Sequence, residues 1–419
     1  MSRRVLLRLA SLALAASFIA GCGSGGDNQP GFVTVPLDDP SALTTTTVST
    51  DETTTTIARN LNLVGVCSNP VVIQLDTPLD MWALPYVHLI GPDGQGSAST
   101  YRAPLVNPDT GNPTGIDIEL RTSGRLPVTG ASASSVLGDP AVLFTTTNFE
   151  QVLPVEATAP VIVAAPWSRT DLALQWTAAL PAMRTIADIA GTALSNPEFA
   201  PEAASYLRGS GLLPEPAKAG EIRRTVEGVP AGSTAILSRL LDIPDQAAAL
   251  VSSDLPGPRA QLLADVGWEP YPHVLVVNRA SAEQRVDCVR SIVPLVQFSL
   301  LRLSLQPKLS SQRLALIGEK MGLALDQSRL AAQMSAALSL DLLATGSQAS
   351  PIAADPALAR LVQIARSQKT AAVGAGKNLR LPSDLPSELG ALVDRSFIDS
   401  DLKYTYRDKP EFGVDVEAG

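Results

Sequence analysis

Histidine and cysteine are almost missing from this chain. Its 419 residues hold two histidines, His88 and His273, and three cysteines, Cys22, Cys67 and Cys288. Beyond Cys22 there are two of each, and, widely scattered, they do not make a zinc site by spacing. Aromatic residues are also few, with 4 Trp, 6 Tyr and 8 Phe, which speaks against a sugar site because sugar faces stack on rings. Positive charge is short as well: the net charge is -9, the pI is near 4.9, and no Lys/Arg block follows Arg3 and Arg4. A nucleic-acid or anionic-lipid surface is therefore excluded. Nucleophile-elbow and Walker signatures are absent, and no G-x-G-x-x-G stands between an expected strand and an expected helix as a dinucleotide fingerprint requires. The nearest approach, Gly376-Lys377-Asn378, lacks the upstream glycine and the hydroxyl residue of a phosphate loop. No nucleophile, base and orienter set emerges, so the sequence predicts no enzyme, cofactor or metal.

What the chain does have begins at its N-terminus. Arg3 and Arg4 precede an apolar stretch, Val5 to Ala20, broken by Arg8 and small Ser residues and followed by Gly21 and Cys22. That order is a secretory signal, too short to span a bilayer stably. Ile19-Ala20-Gly21-Cys22 resembles the lipobox of bacterial lipoproteins, in which the cysteine is lipidated and becomes the new N-terminus. The alternatives are an ordinary signal peptide with an incidental cysteine, or a plain membrane anchor. On the lipobox reading, residues 1-21 are a signal peptide, Cys22 carries lipid, and the mature chain sits on the extracytoplasmic face of the cell membrane.

Residues 22-60 cannot build a core. Gly23 to Gly31 is Gly-rich and polar, and threonine runs follow at Thr44 to Thr47 and Thr53 to Thr56. Such composition without apolar periodicity predicts an extended, solvated tether. From about Asn60 the composition is globular, and the remaining ~360 residues suffice for two lobes. Outside the cytoplasm Cys67 and Cys288 read as one disulfide, against two buried free thiols.

The folded part alternates strand and helix. Val71 to Leu75, Ile116 to Arg121, Ala141 to Phe144, Val161 to Ala165 and Val274 to Asn278 predict strands. Pro78 to Ile90 and Pro127 to Leu137 predict helices. The Ala-rich stretch from Asp171 to Asp265 suggests helical segments broken by Pro and Gly. Amphipathic runs follow at Ala282 to Leu305, Ser311 to Leu325, Gln327 to Leu343 and Pro356 to Ser367. This order predicts an α/β fold with a parallel or mixed sheet and a helix-rich C-terminal part. His88 lies in an apolar run and His273 begins a strand, so each reads as a hydrogen-bonded structural histidine rather than a base.

Three turns carry the chemically suggestive pattern. Asp76-Thr77-Pro78 sets a hydroxyl at an expected helix start, and Thr147 to Glu150 and Ser168 to Asp171 have capping-box spacing. Each alone is a helix cap. Gathered at the carboxyl edge of a sheet, they would form a binding site. The candidate contacts are Asp76, Thr77, Trp82, Thr146, Thr147, Asn148, Trp167 and Ser168. Trp82 and Trp167 could flank a planar group, or equally pack in the core; Trp268 and Tyr271 read as packing where the chain recrosses.

Val71 to Asp76, Asp265 to Pro272, Cys288 with Ile292 to Gln297, and Ser396 to Asp399 occur in an order and spacing similar to those of actinobacterial substrate-binding lipoproteins of ABC importers. The group resembled binds thiamine precursors, nitrate and sulfonates, and the resemblance spans roughly residues 66 to 400. It implies a two-lobed periplasmic-binding-protein type II fold. Lobe 1 would comprise 61-160 and 272-419, and lobe 2 would comprise 161-271. It also implies a monomer that clamps a small molecule, an anion or heterocycle, and delivers it to a permease. A degenerate relative serving as a sensor or protein-partner module is the alternative.

Overall fold

The computed structural model describes residues 61–122, 136–152, 160–176, 186, 194–195, 200–212, 235–242, 259–344, 358–381, 383–400 and 402. The expected signal segment, Cys22, the expected threonine tether and most of the stretches 127–137 and 231–254 lie outside the described residues. Eleven strands are described: β1 Val71–Gln74, β2 Gln95–Gly96, β3 Thr100–Val106, β4 Pro113–Arg121, β5 Phe144–Thr147, β6 Pro160–Ala164, β7 Leu172–Trp176, β8 Leu194–Ser195, β9 Ala235–Arg239, β10 Arg259–Leu262 and β11 Val274–Asn278. The helices described are α1 Phe149–Val152, α2 Pro201–Gly209, α3 Arg279–Gln284, α4 Val286–Leu305, α5 Pro307–Lys320, α6 Gln327–Ser339, α7 Leu358–Gly374 and α8 Leu385–Gly390. Met81–Leu89 is a 3-10 helix.

Among the described residues the strands form two sheets, in the orders β2-β3-β4-β1-β5-β11-β6 and β10-β7-β9-β8. The fold is mixed α/β, as expected. In the larger sheet β1 runs parallel to β4 and β5. β11 runs antiparallel to β5 and β6, so its first residue arrives at the edge where β1 and β5 end. The buried runs Val71-Val72-Ile73 and Pro160 to Ala164 suit strands covered on both faces. The chain leaves the larger sheet after β6, builds the smaller one, and returns after β10 to β11.

Two expectations fail for identifiable reasons. The strand expected at Ala141 to Phe144 is β5, three residues later, because Asp139 turns the chain first: its carboxylate accepts the Ala141 N–H and its carbonyl the Val142 N–H. The β-branched Thr145-Thr146-Thr147 then supply the strand. Among the described residues of the stretch from Asp171 to Asp265, α2 is helical, but β7 pairs antiparallel with β9 and β10, since four- and five-residue runs of mixed polarity have no helical commitment of their own and take the hydrogen-bond partners that the fold offers.

The C-terminal helices fall where the periodicity puts them. α4 is long and apolar enough to cross a membrane by length and composition, yet it is an interior helix: Cys288, Val289, Ile292, Val293, Val296 and Leu300 are buried, and it packs on the 3-10 helix. Cys67 and Cys288 are bonded, with Cα atoms 4.9 Å apart, so the segment before β1 is stapled to α4. The disulfide expectation holds against the free-thiol alternative. His88 is structural, its Nε2 2.7 Å from Ser310 Oγ; burial pushes its ring down to about 3, so it stays neutral.

α7 runs between two cores. Leu361, Ile364 and Ala365 pack with Tyr271, Val274 and Val276, while Ala371 packs with Trp176, Tyr206 and Trp268 of the smaller sheet's core. Its last turn crosses α2 backbone to backbone: a Cβ at Gly374 would meet the Ser205 carbonyl and lie 2.6 Å from Gly209 N. Neither neighbour is a side chain that can rotate away. Gly374→Ala is therefore expected to cost about 1 to 3 kcal/mol in urea unfolding. Gly390→Ala, with nothing within 4 Å of its Cβ, is expected to stay within about 0.5 kcal/mol. Equal effects at the two glycines would contradict the close crossing.

Candidate ligand-binding site

The carboxyl edge of β1 and β5 gathers the polar groups. One residue past Leu75, Asp76 N–H donates to Thr146 Oγ1 at 2.9 Å, and that hydroxyl donates to Asp76 Oδ1 at 2.6 Å. His273, one residue before β11, sets Nδ1 at 2.9 Å and 3.0 Å from the two Asp76 oxygens. Burial opposes the Asp76 charge, but His273, through both its charge and its hydrogen bond, and then the Thr146 hydroxyl hold the carboxyl below its ordinary value. His273 has φ 51, a left-handed conformation that a non-glycine residue adopts at a cost. Its N–H donates to Asn148 Oδ1 at 3.4 Å, and Phe149 N–H donates to the Tyr271 carbonyl, which fixes β5's exit against β11's entry.

The 3-10 helix adds Trp82. Its start is capped by Asp80, whose Oδ1 accepts the Trp82 N–H at 3.0 Å and the Thr77 hydroxyl at 3.4 Å. The cap is thus Asp80, where the sequence suggested Thr77: Pro78 restricts Thr77 to extended backbone and the helix begins only at Met81. Burial pushes the Asp80 carboxyl up to about 6, against the charges of His273 and Arg239 and with that of Asp76. The Trp82 ring lies 4.4 Å from the His273 ring and 4.6 Å, edge-on, from that of Trp167. The Arg239 guanidinium, from the end of β9, stands over Trp82 at 5.1 Å from its centroid. Arg239 Nη1 is 3.6 Å from Asp171 Oδ1, and Asp171, 1% exposed, has its carboxyl raised by burial against the opposing charge of Arg239. Among the described residues His273 Nε2, Trp167 Nε1 and Asp171 Oδ1 have no hydrogen-bond partner. Ordered water or a ligand satisfies buried orphans of this kind.

Of the residues expected from sequence, Asp76, Thr77, Trp82, Thr146 and Trp167 come together, and Asn148 touches the His273 backbone. Thr147 is buried in β5 opposite Val274. Ser168 turns away: its hydroxyl donates to the Asp341 carbonyl and its N–H to the Leu342 carbonyl. The helix expected after Ser168-Arg169-Thr170-Asp171 does not form, because Leu172 enters β7 and pairs with Arg239. Trp268 and Tyr271 pack in the cores, as expected. Sequence reasoning missed Asp80, Asp171 and Arg239, and took His273 for structural only. The strand-edge argument that found Asp76 reaches His273 once β11 is known to run backwards.

No family model matches the chain, and no curated protein matches it. Among solved structures it is similar to the aliphatic sulphonate binding protein SsuA of Escherichia coli, at 14% identity over 64% of this chain and 84% of that one, TM-score 0.41. It is similar to a conserved Candida albicans gene product described as having the generic periplasmic binding protein fold, at 9% identity over 78% and 97%, TM-score 0.43. It is also similar to desulfurization enzyme DSZB, at 13% identity over 79% and 97%, TM-score 0.40. At these TM-scores the likeness is one of outline, and the function has to be argued from the site.

Proposed function

We propose that this chain is an extracytoplasmic solute-binding lipoprotein that holds a small molecule between two lobes and delivers it to an ABC permease. The observation that carries the reading is the cluster of Asp76, Asp80, Trp82, Trp167 and His273, with buried polar atoms left unpartnered, at the carboxyl edge of β1 and β5, where open α/β sheets bind ligands. Arg239 and Asp171 reach the cluster from the smaller sheet. The two sheets draw on 71–164 with 274–278, and on 172–262, which accords with lobes at 61-160 plus 272-419 and at 161-271. Cys22, in its lipobox-like setting, would supply the anchor, 22-60 the tether, and the mature protein would act as a monomer without catalysis or cofactor.

A second reading, a sensor or protein-partner lipoprotein derived from such a binder, draws on one observation: Trp82 is covered by Trp167, His273 and Arg239, so the chain's own side chains fill part of the cluster. Screening separates the two. A bound solute stabilises by RT ln(1 + [L]/Kd), about 2.7 kcal/mol at a hundredfold excess over Kd, and should shrink the molecule in solution scattering. Cys22→Ser should leave that response intact while releasing the protein from the membrane fraction. If anions, sulfonates, amino acids and heterocycles all fail to stabilise the protein, the solute reading falls; if the Cys22→Ser protein stays membrane-bound, the lipid anchor falls.

A further inference from the structure

The charge of the cluster carries more than its location does. Three carboxylates, Asp76, Asp80 and Asp171, face at most two cations, His273 and Arg239. Asp76 is matched to His273, and Asp171 to Arg239. Asp80 has no ion-pair partner among the described residues, and both of its hydrogen bonds reach Oδ1. Burial raises the Asp80 and Asp171 carboxyls, so the sum is negative, whether or not His273 is protonated, where both have ionised. An anion entering here would be desolvated beside surplus negative charge, which is costly.

The tautomer of His273 points the same way. With Nδ1 donating to the Asp76 carboxylate, the tautomer that has one ring proton carries it on Nδ1 and presents Nε2 as a lone-pair acceptor. Nε2 is buried, in a residue 3% exposed, and unpartnered among the described residues. Asp80 and Nε2 are both acceptors and both call for N–H donors. The chain also shows which cation suits the place: the planar guanidinium of Arg239 lies over the Trp82 ring beside a carboxylate, using ring face and negative charge together.

Resting on the solute-binding reading, we infer that the site at Asp80, Trp82 and His273 takes a small planar cation bearing N–H donors, an amidinium or guanidinium group, and discriminates against anions. Asp80 supplies the charge and His273 Nε2 accepts one N–H, with Trp167 Nε1–H left for an acceptor elsewhere on the ligand.

Three ring compounds of one size test this on the full-length protein in detergent: benzamidine, a cation; benzamide, neutral; and benzenesulfonate, an anion. Benzamidine is expected to raise the melting temperature saturably, and the other two are not. Asp80→Asn keeps the acceptor that caps the 3-10 helix, since Asn caps as well as Asp, and is expected to weaken benzamidine binding by about 10- to 100-fold, the range of a charge-assisted hydrogen bond. Binding should strengthen as pH rises through about 6, where Asp80 ionises in the presence of His273, Arg239 and Asp76. Benzenesulfonate or benzamide binding as tightly as benzamidine would overturn the inference while leaving the solute reading standing. Benzamidine binding unchanged by Asp80→Asn would overturn it too. If none of the three binds, the cation inference fails, and the wider screen of anions, sulfonates, amino acids and heterocycles decides independently whether a solute site exists at all.

Discussion

Breaking the Cys67–Cys288 bridge should lower the stability of the folded part by about 2 to 5 kcal/mol, the range seen when a native disulfide is removed. The bonded residues are 221 apart, so reduction returns a very long loop to the unfolded ensemble, and chain-entropy arguments give long loops the larger effects. Location adds to it: Cys288 is fully buried on α4, and the bridge holds the segment before β1 to the helix that covers the 3-10 segment carrying Trp82. Urea unfolding with and without reductant separates the bridge from side-chain volume, which Cys67→Ala with Cys288→Ala alters as well. Both should show the loss. Two reactive thiols in denatured, unreduced protein would sink the claim, and with it one argument for an oxidising, extracytoplasmic home.

Much of this architecture was legible because its signals are local. α4 to α7 lie where apolar spacing repeats, and β1, β6 and β11 are short runs rich in Val and Ile bounded by turn residues. The mixed sheet followed from that alternation, and the pairing of Cys67 with Cys288 followed from reading the chain as exported with two cysteines beyond Cys22. The smaller sheet was not legible. Leu172-Ala-Leu-Gln-Trp and Ala235-Ile-Leu-Ser-Arg become strands only by pairing with each other across some sixty residues, and no local pattern announces such a partnership.

The site divides in the same way. Asp76 and Thr146 were found because each follows shortly after an expected strand, Val71 to Leu75 and Ala141 to Phe144. Asp80 was hidden by the more familiar Thr77-Pro78 signal, although the cap falls where the extended backbone imposed by proline is over. Arg239 and Asp171 belong to the sheet that sequence did not reveal, so their arrival at Trp82 depends wholly on tertiary structure. His273 has its role because β11 is antiparallel to β5: strand direction, which sequence did not specify, brings a strand's first residue to the edge where its neighbours end.

Asp76 is the residue whose loss should damage the site most. Asp76→Ala removes the acceptor of both the His273 Nδ1–H and the Thr146 hydroxyl, leaving two buried donors unsatisfied, and an expected cost of about 3 kcal/mol follows. Thr146→Val removes one hydroxyl and keeps the carboxylate–imidazole pair, so about 1 kcal/mol is expected there. The pH dependence distinguishes a charge interaction from mere packing. Burial works against the Asp76 charge, but His273 and Thr146 outweigh it and hold the folded carboxyl below its ordinary value. The unfolded state therefore binds the proton more readily, and the stabilisation is fully present above the ordinary carboxylate range, near pH 4. It is lost as pH falls from there through the lower folded value. The stability gap between wild type and Asp76→Ala, measured by urea unfolding, should accordingly narrow steadily as pH falls from about 5 towards 3. A gap that stays constant down to pH 3 would mean that Asp76 acts by shape alone, and that His273 is oriented by its packing against Trp82 rather than by the carboxylate.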